Sequence, residues 1–195
     1  PAEHLLHYTE RDAESIYPTL ISPEGGNFPA QNVEKLIGAN ATLANIRSKL
    51  EQWLPSVAKE EDRVLIYFAG HGFVSSGRAF LAPYDVNPSN ISGTGYSMDD
   101  LGKVFGSQIK AKWKVLLTDA CHSGAITPGA ETATINQSLI DVNKSVFSLT
   151  ASRDREISFE SPDWGGGHGI FTFYVVKGLE GGADESRGGI VNARE

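Results

Sequence analysis

The sequence predicts an α/β domain with a mostly parallel central sheet and helices on both faces. Three observations predict it. Three short, continuously apolar runs, 63–68 (RVLIYF), 114–118 (KVLLT) and 146–150 (VFSLT), read as strands buried on both sides. Segments of helical period alternate with them. The length of 195 residues suits one domain, expected to span residues 1–195.

The elements follow in chain order. Thr9-Glu-Arg-Asp12 reads as a capping box that opens a helix running to about Leu20. Ile21–Pro29 is a Pro/Gly loop. Ala41–Trp53 is helical, with Leu43, Ile46, Leu50 and Leu54 recurring at the helical period. The first apolar run, Arg63–Phe68, precedes a hairpin over Phe73–Tyr84 that turns at Ser75-Ser-Gly77. Asp99–Phe105 is a short helix, with Asp99-Asp100 placed to cap it. The second and third runs enclose Gly124–Asn143, polar and rich in Thr and Ala, which reads as a long loop or partly helical excursion. Ile170–Leu179 is an amphipathic helix ending at Gly181-Gly182.

Composition excludes several functions. Seventeen basic against twenty-four acidic residues leave a net charge of −7 without a basic stripe, which argues against nucleic acid as the main partner. No apolar run approaches ~18 residues, so no membrane span is expected. The opening Pro1-Ala-Glu-His4 is not a signal peptide. A single cysteine, Cys121, excludes an internal disulfide framework and any multi-cysteine metal site. A reduced cysteine fits the cytoplasm, the expected compartment, and a single cysteine fits the periplasm as well.

Ligands of open α/β sheets bind beyond the carboxyl ends of the strands. RVLIYF is followed by Ala69-Gly-His-Gly72, KVLLT by Asp119-Ala-Cys-His-Ser-Gly124, and VFSLT by Ala151-Ser-Arg-Asp154. The one cysteine and a glycine-flanked histidine thus stand at strand ends. A lone cysteine is more often a small buried hydrophobe than a nucleophile. Here its neighbours are polar, and a thiol in such a turn can be exposed and its thiolate stabilised. His71, uncrowded between two glycines, can exchange protons with it. The N–H groups of Gly72 and Cys121 are candidate oxyanion donors.

Rival chemistries fail on spacing. A cysteine phosphatase loop needs Arg six residues after the cysteine, where Thr127 stands. A nucleophile elbow needs Gly two before it, where Asp119 stands. The histidines at 4, 7, 71, 122 and 168 show no ligand-pair spacing, so no metal is expected. A second Gly-His-Gly, at 167–169, precedes a helix instead of ending a strand. His122, next to Cys121, should point to the opposite side.

Tyr67-Phe-Ala-Gly-His-Gly72 and Asp119-Ala-Cys-His-Ser-Gly124, with His71 and Cys121 50 residues apart, resemble the motifs of the caspase-like cysteine peptidases. Within them the closest form is the metacaspase and bacterial caspase-like group. The similarity extends to Asp12-Ala13, Ala-Thr-x-x-Asn-Ile at 41–46, Ala82-Pro-Tyr-Asp85 and Gly-Ile-Phe-Thr at 169–172. It implies a caspase-like fold with a six-stranded sheet. It also implies a cysteine endopeptidase that hydrolyses peptide bonds through a thioester. Cys121 would be the nucleophile, His71 the general acid/base, and the Gly72 and Cys121 amides the oxyanion hole.

The resemblance further implies a preference for Arg or Lys at P1. Metacaspases line the S1 pocket with acid, matched here by Asp119, two before the nucleophile, and by Asp12 on the first helix. Two carboxylates favour a guanidinium through charge-assisted hydrogen bonds. Against this, Asp12 could close the capping box, and Asp119 could bond nearby backbone. Ala69 stands where metacaspases often carry Ser. Asp154, Glu156 and Glu160 could add acid or be solvated.

The family's first strand, ahead of the first helix, has no counterpart, and the C-terminal part looks cut short. The domain is therefore expected to be trimmed at both ends and to belong with other domains of a longer chain. No cofactor is expected. Calcium, which activates many metacaspases, is a weaker alternative resting on Asp85, Asp99 and Asp100; against it, a position acidic in some relatives falls near Pro128. Between Cys121 and Ser152 the only basic residue is Lys144, so an active single chain without cleavage in that loop is expected. The competing reading is a catalytically silent caspase-like module that binds or regulates partners.

Overall fold

In chain order the elements are α1 (Thr9–Ile21), α2 (Leu43–Arg47), α3 (Leu54–Val57), β1 (Arg63–Ser75), β2 (Arg78–Leu81), α4 (Ile91–Thr94), β3 (Tyr96–Ser97), α5 (Met98–Lys103), β4 (Trp113–His122), β5 (Phe147–Thr150), β6 (Glu160–Ser161), β7 (His168–Gly169) and α6 (Ile170–Lys177). The structure is a computed structural model and describes residues 6–122, 146–151, 160–189 and 191, the side chains at 121 and 122 excepted. The expected excursion over Gly124–Asn143, with Lys144, Pro128, Asp154 and Glu156, lies outside the described residues. Two compact units are formed, one of Leu36–Ile157 and the other of Ala2–Lys35 with Ser158–Glu195.

The first unit holds a five-stranded sheet in the order β3-β2-β1-β4-β5. All three apolar runs became strands, β1 and β4 inside the sheet and β5 at its edge, where Phe147 and Leu149 are exposed and the expected burial on both sides does not hold. β1 runs parallel to β4, from Arg63 opposite Trp113 to Gly72 opposite His122, and β4 runs parallel to β5. β2 and β3 extend the sheet antiparallel on the other side. Among the described residues this is five strands, where the resemblance implied six. A separate antiparallel ribbon, β6–β7, lies in the second unit.

The hairpin falls where the sequence placed it. Ser75 pairs with Arg78, and the two residues between them, Ser76 and Gly77, have φ of 51° and 72°. Positive φ at both central positions is the geometry whose twist matches that of the flanking strands.

One departure concerns β1. It does not stop at Phe68 but continues through Ala69-Gly-His-Gly72 to Ser75. Glycines disfavour strand locally, but here the whole segment is paired to β4 and, from Gly72 onward, the strand is paired to β2 as well. Gly70 also has a packing reason: a Cβ there would come within 2.8 Å of the Phe68 ring. β4 likewise continues past Thr118 to His122.

Helices cover one face of this sheet. Thr42 caps α2, its hydroxyl accepting from Asn45 N–H at 3.3 Å, and the helix continues through a π-helical turn (Ser48–Trp53) into α3. Leu43, Ile46, Leu50 and Leu54 pack on a cluster formed by Val64, Leu116, Tyr96, Met98, Leu101, Val104 and Phe105. Each large side chain so buried contributes roughly 1.5–3 kcal/mol. In α5 the cap is the Ser97 hydroxyl, which accepts from Asp99 N–H; the expected Asp99-Asp100 pair instead occupies the first turn, favourable to the helix dipole. Burial, followed by the Glu51 and Asp100 carboxylates, pushes the Tyr96 phenol above its ordinary range.

In the second unit α1 spans Thr9–Ile21 as expected, but no capping box forms. Tyr8 is the N-cap residue and offers no side-chain bond. The Glu160 carboxylate instead accepts from the N–H groups of His7 (2.8 Å) and Tyr8 (3.2 Å). The Asp12 carboxylate is engaged elsewhere.

Candidate active site

The carboxyl ends of β1 and β4 bring together most of the residues singled out in the sequence. The parallel register sets His71 opposite Cys121, Gly72 opposite His122, and Ala69 opposite Asp119. Adjacent strands are about 4.8 Å apart, so residues 50 positions apart in sequence become lateral neighbours. Along β1 the core takes Val64, Ile66, Phe68 and Val74, the even positions. Strand alternation turns His71 to the opposite face. There its ring lies 6.2 Å, centroid to centroid, from that of Phe73.

Backbone geometry defines the amide of Gly72. Gly72 pairs with Leu81, and Ala82 N–H donates to the His71 carbonyl at 2.9 Å. Gly72–Leu81 is therefore a non-hydrogen-bonded pair of the hairpin. The Gly72 N–H faces the β1–β4 seam, the side on which Cys121 stands.

Asp119 is buried, 5% exposed, two residues before Cys121. Burial at that level demands hydrogen-bond donors around a carboxylate.

Asp12 lies in the second unit and is 1% exposed. Its Oδ1 accepts from His168 Nδ1 at 2.8 Å, and Gly169 N–H donates to Oδ1 at 3.2 Å and to Oδ2 at 3.1 Å. Sequence reasoning missed this partnership. It treated the second Gly-His-Gly only as a loop leading into a helix, and the pair is 156 residues apart in sequence. Glu160, expected either to add acid to the pocket or to be solvated, accepts from the His7 and Tyr8 N–H groups at the start of α1.

The acids considered for calcium are each engaged locally. Asp85 accepts from Leu43 N–H at 2.8 Å. Asp99 pairs with Arg78 at 2.7 Å, and Asp100 with Lys103 at 2.7 Å. Among the described residues no group of three or more His, Cys, Asp or Glu side chains is arranged to hold a metal ion. Nor is any helix there long and apolar enough to cross a membrane.

Comparison with known proteins agrees with this architecture. A family model described as the caspase domain matches residues 2–191. Among solved structures, the crystal structure of protein GSU0716 from Geobacter sulfurreducens superposes with a TM-score of 0.56 at 16% identity, covering 88% of this chain and 72% of that one. At that identity the likeness is one of fold. No curated protein matches the chain.

Proposed function

The chain belongs to the caspase domain family, a family of cysteine peptidases, and from that premise we propose that it is a cysteine endopeptidase cleaving after Arg or Lys. One observation carries the reading: the register of β1 and β4, which sets His71 beside Cys121 at the carboxyl ends of two central parallel strands. The Cys121 thiolate attacks the scissile carbonyl carbon. The oxyanion that forms is assigned to the Gly72 and Cys121 amides, which the end of the β1–β4 ladder must release to receive it. His71, as imidazolium, gives its proton to the leaving amine, and a thioester remains. Neutral His71 then takes a proton from water, which attacks the thioester and releases the new carboxylate and the thiol. Asp119, buried two residues before Cys121, supplies negative charge for the basic P1 side chain.

The single cysteine makes the dyad directly testable. Iodoacetamide at neutral pH is expected to label Cys121 stoichiometrically, because a neighbouring imidazole raises the thiolate fraction. In His71→Ala the labelling slows to the rate of an ordinary thiol. Equal rates in the two proteins would remove His71 from its assigned role.

A further inference from the structure

The rungs that set His71 beside Cys121 also occupy the backbone groups on which the thioester chemistry depends. We propose that the last rungs of the β1–β4 ladder, Gly70 to Gly72 against Ala120 to His122, form an autoinhibitory latch. The latch engages both oxyanion-binding amides in the unliganded chain and opens when a substrate carbonyl is attacked. This rests on the reading of Cys121 as the peptidase nucleophile.

Two backbone contacts fix which groups are engaged. Ala82 N–H donates to the His71 carbonyl at 2.9 Å, so the backbone polar groups of His71 face β2. By strand alternation those of Gly70 and Gly72 face β4. Ala151 N–H donates to the Thr118 carbonyl at 2.9 Å, so those of Thr118 face β5, and those of Asp119 and Cys121 face β1. His71 is paired with Cys121, and Gly72 with His122. In a parallel ladder of that register, Cys121 N–H donates to the Gly70 carbonyl, and Gly72 N–H donates to the Cys121 carbonyl. Each N–H has one hydrogen to give, so neither meets an oxyanion while its rung is closed.

The latch sits at the weaker end of the ladder. β4 is paired with β5 only as far as Thr118, so beyond it, among the described residues, β1 is the one strand that holds β4. β1 itself is held on its far side by β2 from Gly72 to Ser75. When the rungs open, β4 is therefore the strand that moves. Gly70 and Gly72 bring no side chain to pack along this seam, which weakens it further. Opening is then a local event that leaves the lower rungs paired. Bonds lost to the ladder are replaced by charge-assisted bonds to the oxyanion, so attack on the carbonyl favours the open form.

Hydrogen-bond scalar couplings, measured by NMR on the full chain, test the latch. The single cysteine makes the signals unique. With ¹⁵N-cysteine and carbonyl-¹³C-glycine, the Cys121 nitrogen is covalently joined to Ala120, so a coupling to a glycine carbonyl arises only across a hydrogen bond. With the labels exchanged, the Cys121 carbonyl is joined to His122, and a glycine nitrogen coupled to it is reached the same way. Peptidyl aldehydes with Arg and with Asp at P1 are then added. The Cys121 thiolate forms an S–C bond to the aldehyde carbon, and the carbonyl π pair moves to oxygen, giving a thiohemiacetal oxyanion. Alkylation by iodoacetamide, which releases iodide and makes no oxyanion, is the control. Both couplings are expected in the free and alkylated chains, and both should be lost in the aldehyde adduct. Their absence from the free chain, or their loss on alkylation as well, would overturn the latch. Couplings that persist in the adduct would overturn it too, while the adduct itself would uphold Cys121 as nucleophile. If neither aldehyde adds, the peptidase reading fails and the latch fails with it.

Discussion

Replacing Cys121 by alanine is expected to lower kcat/KM for peptide hydrolysis by about 10⁴- to 10⁶-fold, because no other side chain can form the covalent intermediate. His71→Ala is expected to cost about 10²- to 10⁴-fold, the usual worth of a positioned acid/base. The double variant should be no slower than Cys121→Ala alone, since a base without a nucleophile has nothing to activate. His71 is not part of the apolar cluster beneath the helices, so His71→Ala should keep the cooperative melt of the parent. Steady-state kinetics with a fluorogenic peptide, paired with thermal melts, checks all of this. Additive losses in the double variant would mean that the two residues do not act as a unit.

The largest effect on stability is expected from Phe105→Ala. Phe105 is 0% exposed and packs in the cluster that joins α5 to the sheet through Val64, Leu101, Val104 and Leu116. Removing its ring forfeits the transfer energy and leaves a cavity, together about 3–5 kcal/mol. A domain of this kind is stable by only about 5–15 kcal/mol, so the loss is a large share of the whole. Tyr84→Ala, at a residue 66% exposed, should stay within about 0.5 kcal/mol. Urea titration of the three proteins measures both. A Phe105→Ala cost near that of Tyr84→Ala would mean that this cluster does not carry the fold.

How far each feature was legible follows from the range of the interactions behind it. The apolar runs at 63–68, 114–118 and 146–150 all gave strands because a short apolar run is a local signal, although the third is an edge strand that leaves Phe147 and Leu149 exposed. The hairpin at Ser76-Gly77 and the Leu43/Ile46/Leu50/Leu54 face were legible for the same reason: their signals span a few residues. Local signals misled where a distant group intervened. Thr9 and Asp12 have capping-box spacing, yet Glu160 takes the helix start and His168 takes Asp12. Ala69-Gly-His-Gly72 has the composition of a loop, yet two neighbouring strands draw it into β1.

The candidate site divides in the same way. His71 and Cys121 were legible as a pair because their motifs each follow an apolar run, and strand ends are where such sheets bind ligands. The Asp12–His168 partnership had no sequence signal beyond a repeated Gly-His-Gly, since its members meet only through the packing of α1 against the β6–β7 ribbon and α6.

The most direct measurement is the hydrolysis of short fluorogenic peptides bearing Arg, Lys or Asp at P1, by the full chain and by its Cys121→Ala variant, with and without calcium. Cleavage after Arg and Lys, lost in Cys121→Ala, is the predicted result. Cleavage after Asp alone would keep the nucleophile and contradict the role given to Asp119. Cleavage that survives Cys121→Ala, or none by the folded protein in either condition, would contradict the peptidase mechanism itself.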